Sequence, residues 1–192
     1  MTERTGFYPT GVAAPQEKRT GCLYLRPLRA TDVELDYEAV MSSAEMLRRW
    51  SQSDWPADDF TLAQNLADLQ RHEREHIERK AFTFTVLNPQ GTQCLGCVYI
   101  VPVRPEEIPL CKDDVCAADA GFWVRESELA RALDRHLLAT LRDWFQAEWA
   151  FDRVLFTVSQ QETRQATLLE AAGLEQRLTY TSWDGRPYRV FG

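Results

Sequence analysis

Residues 118–159 restrict the fold more than any other part of the chain. They open with aromatic and branched residues, Phe122, Trp123 and Val124, in a β-like run. They then pass directly into a segment where Leu129, Leu133, Leu137, Leu141 and Trp144 recur at the three-to-four spacing of one helical face. Residues 152–159 (DRVLFTVS) read as a second buried strand. A strand, a helix and a strand in this space match the roughly 30-residue size that a parallel crossover needs. The junction of the first strand with the helix is where folds of this class hold anionic ligands, because backbone N–H groups and the helix dipole point there.

The rest of the chain sets bounds. Its 192 residues are 44% hydrophobic, enough apolar material for one full core. Residues 1–21 carry Gly6, Pro9, Gly11, Pro15 and Gly21 and show neither period, so they are expected to form an irregular arm ahead of a single domain, 22–192. The formal net charge of −7 argues against a nucleic-acid binder and mildly favours a cationic partner. No window approaches the ~18 consecutive apolar residues of a membrane span, and the first 21 residues lack the apolar core of a secretory signal. A cytoplasmic protein is expected.

The other elements follow from local pattern. Residues 23–28 alternate enough for a first strand. Thr31-Asp32 offers an N-cap to a helix over 33–49, in which Leu35, Val40 and Leu47 outline a face. A polar turn holding Trp50, Trp55 and Pro56 leads to a second helix over 60–80. Strands over 81–87 and 92–103 flank the turn Asn88-Pro89-Gln90-Gly91. A long loop over 104–117 precedes the central strand. A third helix over 162–172 is stopped by Gly173, and segments 174–183 and 188–191 flank a hairpin turn at Asp184-Gly185. The expected order is β-α-α-β-β-β-α-β-α-β-β, an α/β (α+β) fold with a mixed, mostly antiparallel sheet and helices on both faces.

Four pieces of sequence carry a resemblance. They are Leu25-Arg26-Pro27-Leu28-Arg29-Ala30-Thr31-Asp32, Leu95-Gly96-Cys97-Val98-Tyr99-Ile100, Ala118-Asp119-Ala120-Gly121-Phe122-Trp123-Val124, and Glu162-Thr163-Arg164 through Leu169-Glu170-Ala171-Ala172-Gly173-Leu174. Together they resemble the GCN5-related N-acetyltransferase (GNAT) superfamily, in particular its ribosomal-protein-acetyltransferase-like branch. The resemblance implies transfer of an acyl group from acetyl-CoA to an amine of a small molecule or a protein, and a possible homodimer. It places the pantetheine arm on Phe122, Trp123 and Val124. It places the diphosphate on the segment that follows, at Arg125, Ala130, Arg131, Ala132, Asp134 and Arg135.

In that segment the family carries a basic or amide residue and two glycine-type positions, which fall here on Leu129, Ala132 and Asp134. A carboxylate at Asp134 opposes a diphosphate by about 4 kcal/mol per charge pair at ~4 Å with an effective dielectric near 20; Arg125, Arg131 and Arg135 are the expected offsets. Ser127 is an alternative N-cap, from which a plain helix would begin early and leave no phosphate loop. Asp119 matches the family's acidic residue before the glycine-aromatic pair and is the implied catalytic group. Trp50, Trp55 and His76 (or His72) border the implied acceptor site. The positions of the family's acid tyrosine, asparagine and serine fall on Leu169, Glu162 and Gln165.

Two motifs compete with this reading. His72-Glu73-Arg74-Glu75-His76 fits both HExxH and HxxEH, which place two imidazoles one helical turn apart for zinc. It supports a zinc hydrolase as an alternative, although no distal ligand motif follows. Cys94-x-x-Cys97 and Cys111-x4-Cys116 superficially resemble a four-thiolate site. Positions three apart on a strand point to opposite faces unless Gly96 makes a bulge, so buried thiols and no metal are expected. A catalytically inactive GNAT-fold binding or regulatory protein is the remaining alternative.

Overall fold

A computed structural model describes residues 7–111 and 116–192. The remainder of the expected arm and part of the expected loop over 104–117 lie outside the described residues. The sheet has eight strands in the order β1-β2-β3-β4-β5-β6-β8-β7. They are β1 (Lys18–Arg19), β2 (Tyr24–Pro27), β3 (Phe82–Leu87), β4 (Cys94–Pro102), β5 (Ala117–Val124), β6 (Arg153–Ser159), β7 (Gln176–Thr181) and β8 (Pro187–Phe191). β5 and β6 pair in parallel. Every other pairing is antiparallel. The helices are α1 (Val33–Met41), α2 (Ala44–Ser51), α3 (Leu62–Ile77), α4 (Leu133–Glu148) and α5 (Thr163–Ala171).

α4 and α5 bury Leu137, Leu141, Trp144 and Leu169 against one face of the sheet, including Phe84, Phe122 and Phe156. α1 and α2 bury Ala39, Val40, Met46 and Leu47 against Trp123 and Cys97 on the other. Each fully buried leucine contributes roughly 1.5–3 kcal/mol, so the two apolar stripes fix the layer order.

Three departures from the pattern reading have local causes. The expected helix over 33–49 is two helices, because Ser42 Oγ turns back to the Ala39 carbonyl at 2.9 Å and Ser43 Oγ, buried, accepts the Glu126 amide at 3.1 Å. That second bond ties the α1–α2 break to the segment after β5. The lead-in is irregular as far as β1, but it is anchored. Tyr8 is buried against Phe82, Trp149 and Phe151, and its hydroxyl accepts the Ala150 amide at 3.1 Å. The third departure is a bulge in the β3–β4 pair, where Val86 opposes Gly96 and Leu87 opposes Cys94. It turns Cys94 and Cys97 to the same face, as a bulge at Gly96 would. A Cβ on Gly96 would lie 2.1 Å from the Trp123 carbonyl oxygen, so only glycine allows β4 this close to β5.

Candidate acyl-transfer site

The site begins with an inequality between the two edges of β5. On the β4 side the pairing runs from Pro102↔Ala118 to Gly96↔Val124. On the β6 side it stops at Ala120↔Phe156. The Arg125 amide donates to the Leu95 carbonyl at 2.8 Å, so odd-numbered residues of this strand aim their backbone groups at β4. The backbone groups of Phe122 and Val124 therefore face the gap that opens beyond Ala120, with no strand opposite. Trp50, Met46, Leu129, Glu162 and Gln165 line this cleft together with Phe122, Trp123 and Val124. Gln165 Nε2 donates to the Phe122 carbonyl at 2.5 Å, filling one strand bond with a side chain.

Where the two strands part, Asp119 is buried under a dense polar cluster. Its Oδ1 accepts the Thr157 amide at 3.0 Å and its Oδ2 accepts Arg104 Nη1 at 2.9 Å. Arg104 Nη1 also reaches Glu107 Oε1 at 3.3 Å and Tyr180 Oη at 3.1 Å, and Thr157 Oγ1 donates to Glu107 at 2.8 Å. Burial first, and the Glu107 carboxylate second, push the Asp119 carboxyl up to about 7 against the pull of Arg104. Two carboxylates thus share one guanidinium. Asp119 is not among the side chains lining the cleft; it fixes β6 at the point of divergence. Glu162 does line the cleft, and burial raises its pKa while Arg49 pulls it back.

The segment between β5 and α4 is not an early helix starting at Ser127. It is a 3₁₀ run over Glu126–Arg131, ended by Ala132 in the left-handed region at φ 55°, and α4 starts at Leu133. A non-glycine residue rarely adopts that conformation. Ala132 occupies the position where the family resemblance puts a glycine, and it keeps the backbone that glycine would give. Asp134 is buried in the first turn of α4, a favourable place for an anion. Its offset comes from none of the expected arginines. Arg164 of α5 grips it with Nε at 2.7 Å and Nη2 at 3.1 Å, and donates from Nη2 to the Leu129 carbonyl at 3.0 Å. Arg125 is instead buried beneath the sheet against Glu38 of α1. Arg131 is exposed and pairs with Glu128, and Ala130 and Arg135 are exposed.

Of the expected acceptor residues, Trp50 sits beside Gly121 and against Tyr99, within the cleft. Trp55 packs edge-on to Phe60, one layer out. His76 is directed elsewhere, to the Thr83 carbonyl at 3.3 Å and to the rings of Phe82 and Phe84. His72 Nδ1 lies 3.2 Å from Thr83 Oγ1, and burial lowers its pKa to about 4. Glu73 accepts the Ala30 amide at 3.3 Å. The imidazoles of the HExxH pattern therefore meet the neighbouring strand, and no group of histidine, cysteine or carboxylate side chains among the described residues is arranged to hold a metal.

A family model described as "Acetyltransferase (GNAT) domain" matches residues 23–175. The chain belongs to the GNAT acetyltransferase family. The fold agrees. RimL, a ribosomal L7/L12 α-N-protein acetyltransferase in complex with coenzyme A, superposes with a TM-score of 0.70 at 15% identity over 90% of this chain and 93% of that one. The ribosomal-protein-S5-alanine acetyltransferase from Vibrio fischeri gives 0.69 at 16% identity over 92% and 95%. The microcin C7 self-immunity acetyltransferase MccE, in complex with acetyl-CoA and AMP, gives 0.71 at 10% identity over 90% and 92%. No curated protein sequence matches the chain.

Family membership makes the chain an acyl-CoA-dependent N-acetyltransferase, with acetyl-CoA as co-substrate. The strand groups at Phe122 and Val124 suit the amides of a pantetheine arm, once Gln165 releases the Phe122 carbonyl. In the segment before α4 the backbone makes a left-handed turn at Ala132. The carboxylate of Asp134 is neutralised by Arg164. Sequence reasoning reached Asp134 but not Arg164, which lies 30 residues away.

Proposed function

We propose that this GNAT protein acetylates the α-amino group of a polypeptide. The observation that carries the reading is the carboxylate of Glu162 in the cleft formed where β5 and β6 part, beside Trp50 and Phe122. When bound, the donor supplies an activated acetyl group. The chain's residues must present the amine to it in neutral form. An α-amino group has a pKa of about 8 and a lysine about 10.4, so the α-amine needs far less help from a base. A half-buried glutamate whose pKa is raised by burial suits that modest demand.

The acceptor route is an open trough rather than a closed pocket. α2, the start of α5 and the β7–β8 turn form it, with Arg49, Gln52, Gln161 and Arg186 on its walls. Gln52 Nε2 holds the Pro187 carbonyl at 3.0 Å, which fixes the width between α2 and the hairpin. An open trough admits a chain end more readily than it selects a small amine. Asp119 has a positioning role in this reading, holding Thr157 and Arg104 so that the strands diverge where they do. Action in the cytoplasm is the location that this chain's likeness to ribosomal-protein acetyltransferases supports; among the described residues no helix is long and apolar enough to cross a membrane.

The test is acetylation of peptides followed by mass spectrometry. One peptide has a free α-amine and no lysine, a second has a blocked α-amine and one lysine, and spermidine stands for small amines. Acetyl appearing on the α-amine supports the proposal. Acetyl found only on lysine or only on spermidine overturns it.

A further inference from the structure

We infer that Arg164 of α5 is the diphosphate-binding residue of this chain, taking over from the loop ahead of α4, and that Asp134 is the positioning residue that holds its guanidinium. The inference rests on the acetyl-CoA reading of the cleft.

Arg164 occupies the second position of α5, where the helix dipole disfavours a cation. Asp134 occupies the equivalent position of α4, where an anion is favoured. A cation placed against the dipole needs an anion to justify it, and one carboxylate accounts for only part of its donors. Nε and Nη2 are committed to Asp134 and to the Leu129 carbonyl, which leaves Nη1 without a hydrogen-bond partner among the described residues. The side chain is half exposed, while the carboxylate that grips it is buried. One edge of the guanidinium is thus clamped and the other is presented outward.

What it faces is a cavity of about 310 Å³ between the start of α4 and the start of α5, lined by Ala132, Asp134, Arg135, Thr163, Arg164 and Thr167. Arg135 adds a second cation, Thr163 and Thr167 add hydroxyl donors, and the Leu133 and Asp134 amides at the start of α4 lack an intrahelical partner, whereas the Arg135 amide is taken by the Ala132 carbonyl and Asp134 Oδ1. The residue that the GNAT pattern makes basic or amide is Leu129, whose side chain offers no donor. Arg164 donates to that residue's carbonyl, so its guanidinium lies beside the position that lacks a charge. A planar fork oriented by a carboxylate on one edge binds a phosphate on the other with little further loss of freedom.

The experiment compares coenzyme A, by calorimetry, with the kcat/KM ratio of acetyl-CoA to acetyl-pantetheine, which lacks the diphosphate, using the full chain and its Arg164→Ala and Arg164→Lys variants. Circular dichroism checks that each variant is folded. Arg164→Ala is expected to weaken coenzyme A about tenfold or more and to lower the ratio similarly, since a charge-assisted phosphate contact is lost. Acetyl-pantetheine turnover should fall much less than acetyl-CoA turnover, and Arg164→Lys should recover part of the difference. Equal losses for both donors, or no loss for either, would assign Arg164 a purely structural role and overturn the inference while leaving the donor reading intact. If the native chain binds no coenzyme A and uses neither donor, both fall together.

Discussion

The two halves of β5 share one neighbour and differ in the other. From Ala118 to Ala120 the strand is bonded on both edges, and Asp119 beneath it is locked to Arg104 and Thr157. From Gly121 to Val124 it is bonded to β4 alone, and a glutamine side chain stands in for the absent strand. The first half holds the sheet together, whereas the second offers strand groups to something else. Function here comes from pairing that is withheld, and the buried polar cluster sets where the withholding starts.

The comparison breaks most severely at Gly96. Because the open half depends on β4 alone, Gly96→Val should cost about 3 kcal/mol or more, since its Cβ would meet the Trp123 carbonyl at 2.1 Å and neither backbone can retreat cheaply. Urea unfolding measures this; an unchanged midpoint would show that β4 and β5 separate freely. In the closed half, Asp119→Leu should cost about 2 kcal/mol by leaving the Thr157 amide and part of Arg104 unpaired, with Asp119→Asn costing less.

Stability against pH sharpens the contrast further. With the folded pKa of Asp119 at about 7, above its unfolded value near 3.8, the folded state holds the extra proton between those values. Its contribution therefore falls as pH rises from about 4 to 7, and Asp119→Asn should remove that part of the slope. His72 has the opposite sign, because its folded pKa of about 4 lies below the unfolded 6.5 and the unfolded state takes up the proton as pH falls. His72→Gln should abolish the loss of stability between pH 6.5 and 4. Melting curves from pH 4 to 8 on both variants check the two signs; matching slopes would refute the assignment. The smallest effect is expected at Gln165→Ala, within about 1 kcal/mol of native stability, yet with coenzyme A bound a few-fold more tightly as the Phe122 carbonyl is released.

Much of this architecture is legible in the sequence because it rests on period and turn chemistry. The leucine stripe of α4 is regular through Trp144, and the Asn88–Gly91 turn carries Asn88 Oδ1 bonded to the amides of Thr92 and Gln93. The α1–α2 break is hidden, because the apolar pattern runs on past Ser42 and Ser43 while the hydroxyls act through partners that only folding supplies. The site divides in the same way. Trp50 is reached through the family resemblance of its turn, and Asp134 through the family pattern laid on the segment after β5. Arg164 left one faint trace, a cation in the first turn of a helix. Spacing on α3 cannot show that β3 takes the His76 imidazole.

The most direct test of the account is residue-resolved amide exchange along β5, with and without coenzyme A. The account predicts new protection at Phe122 and Val124, whose N–H groups face the cleft, and no change at Ala118 and Ala120, which β6 already covers. Binding without protection at Phe122 and Val124 would contradict it.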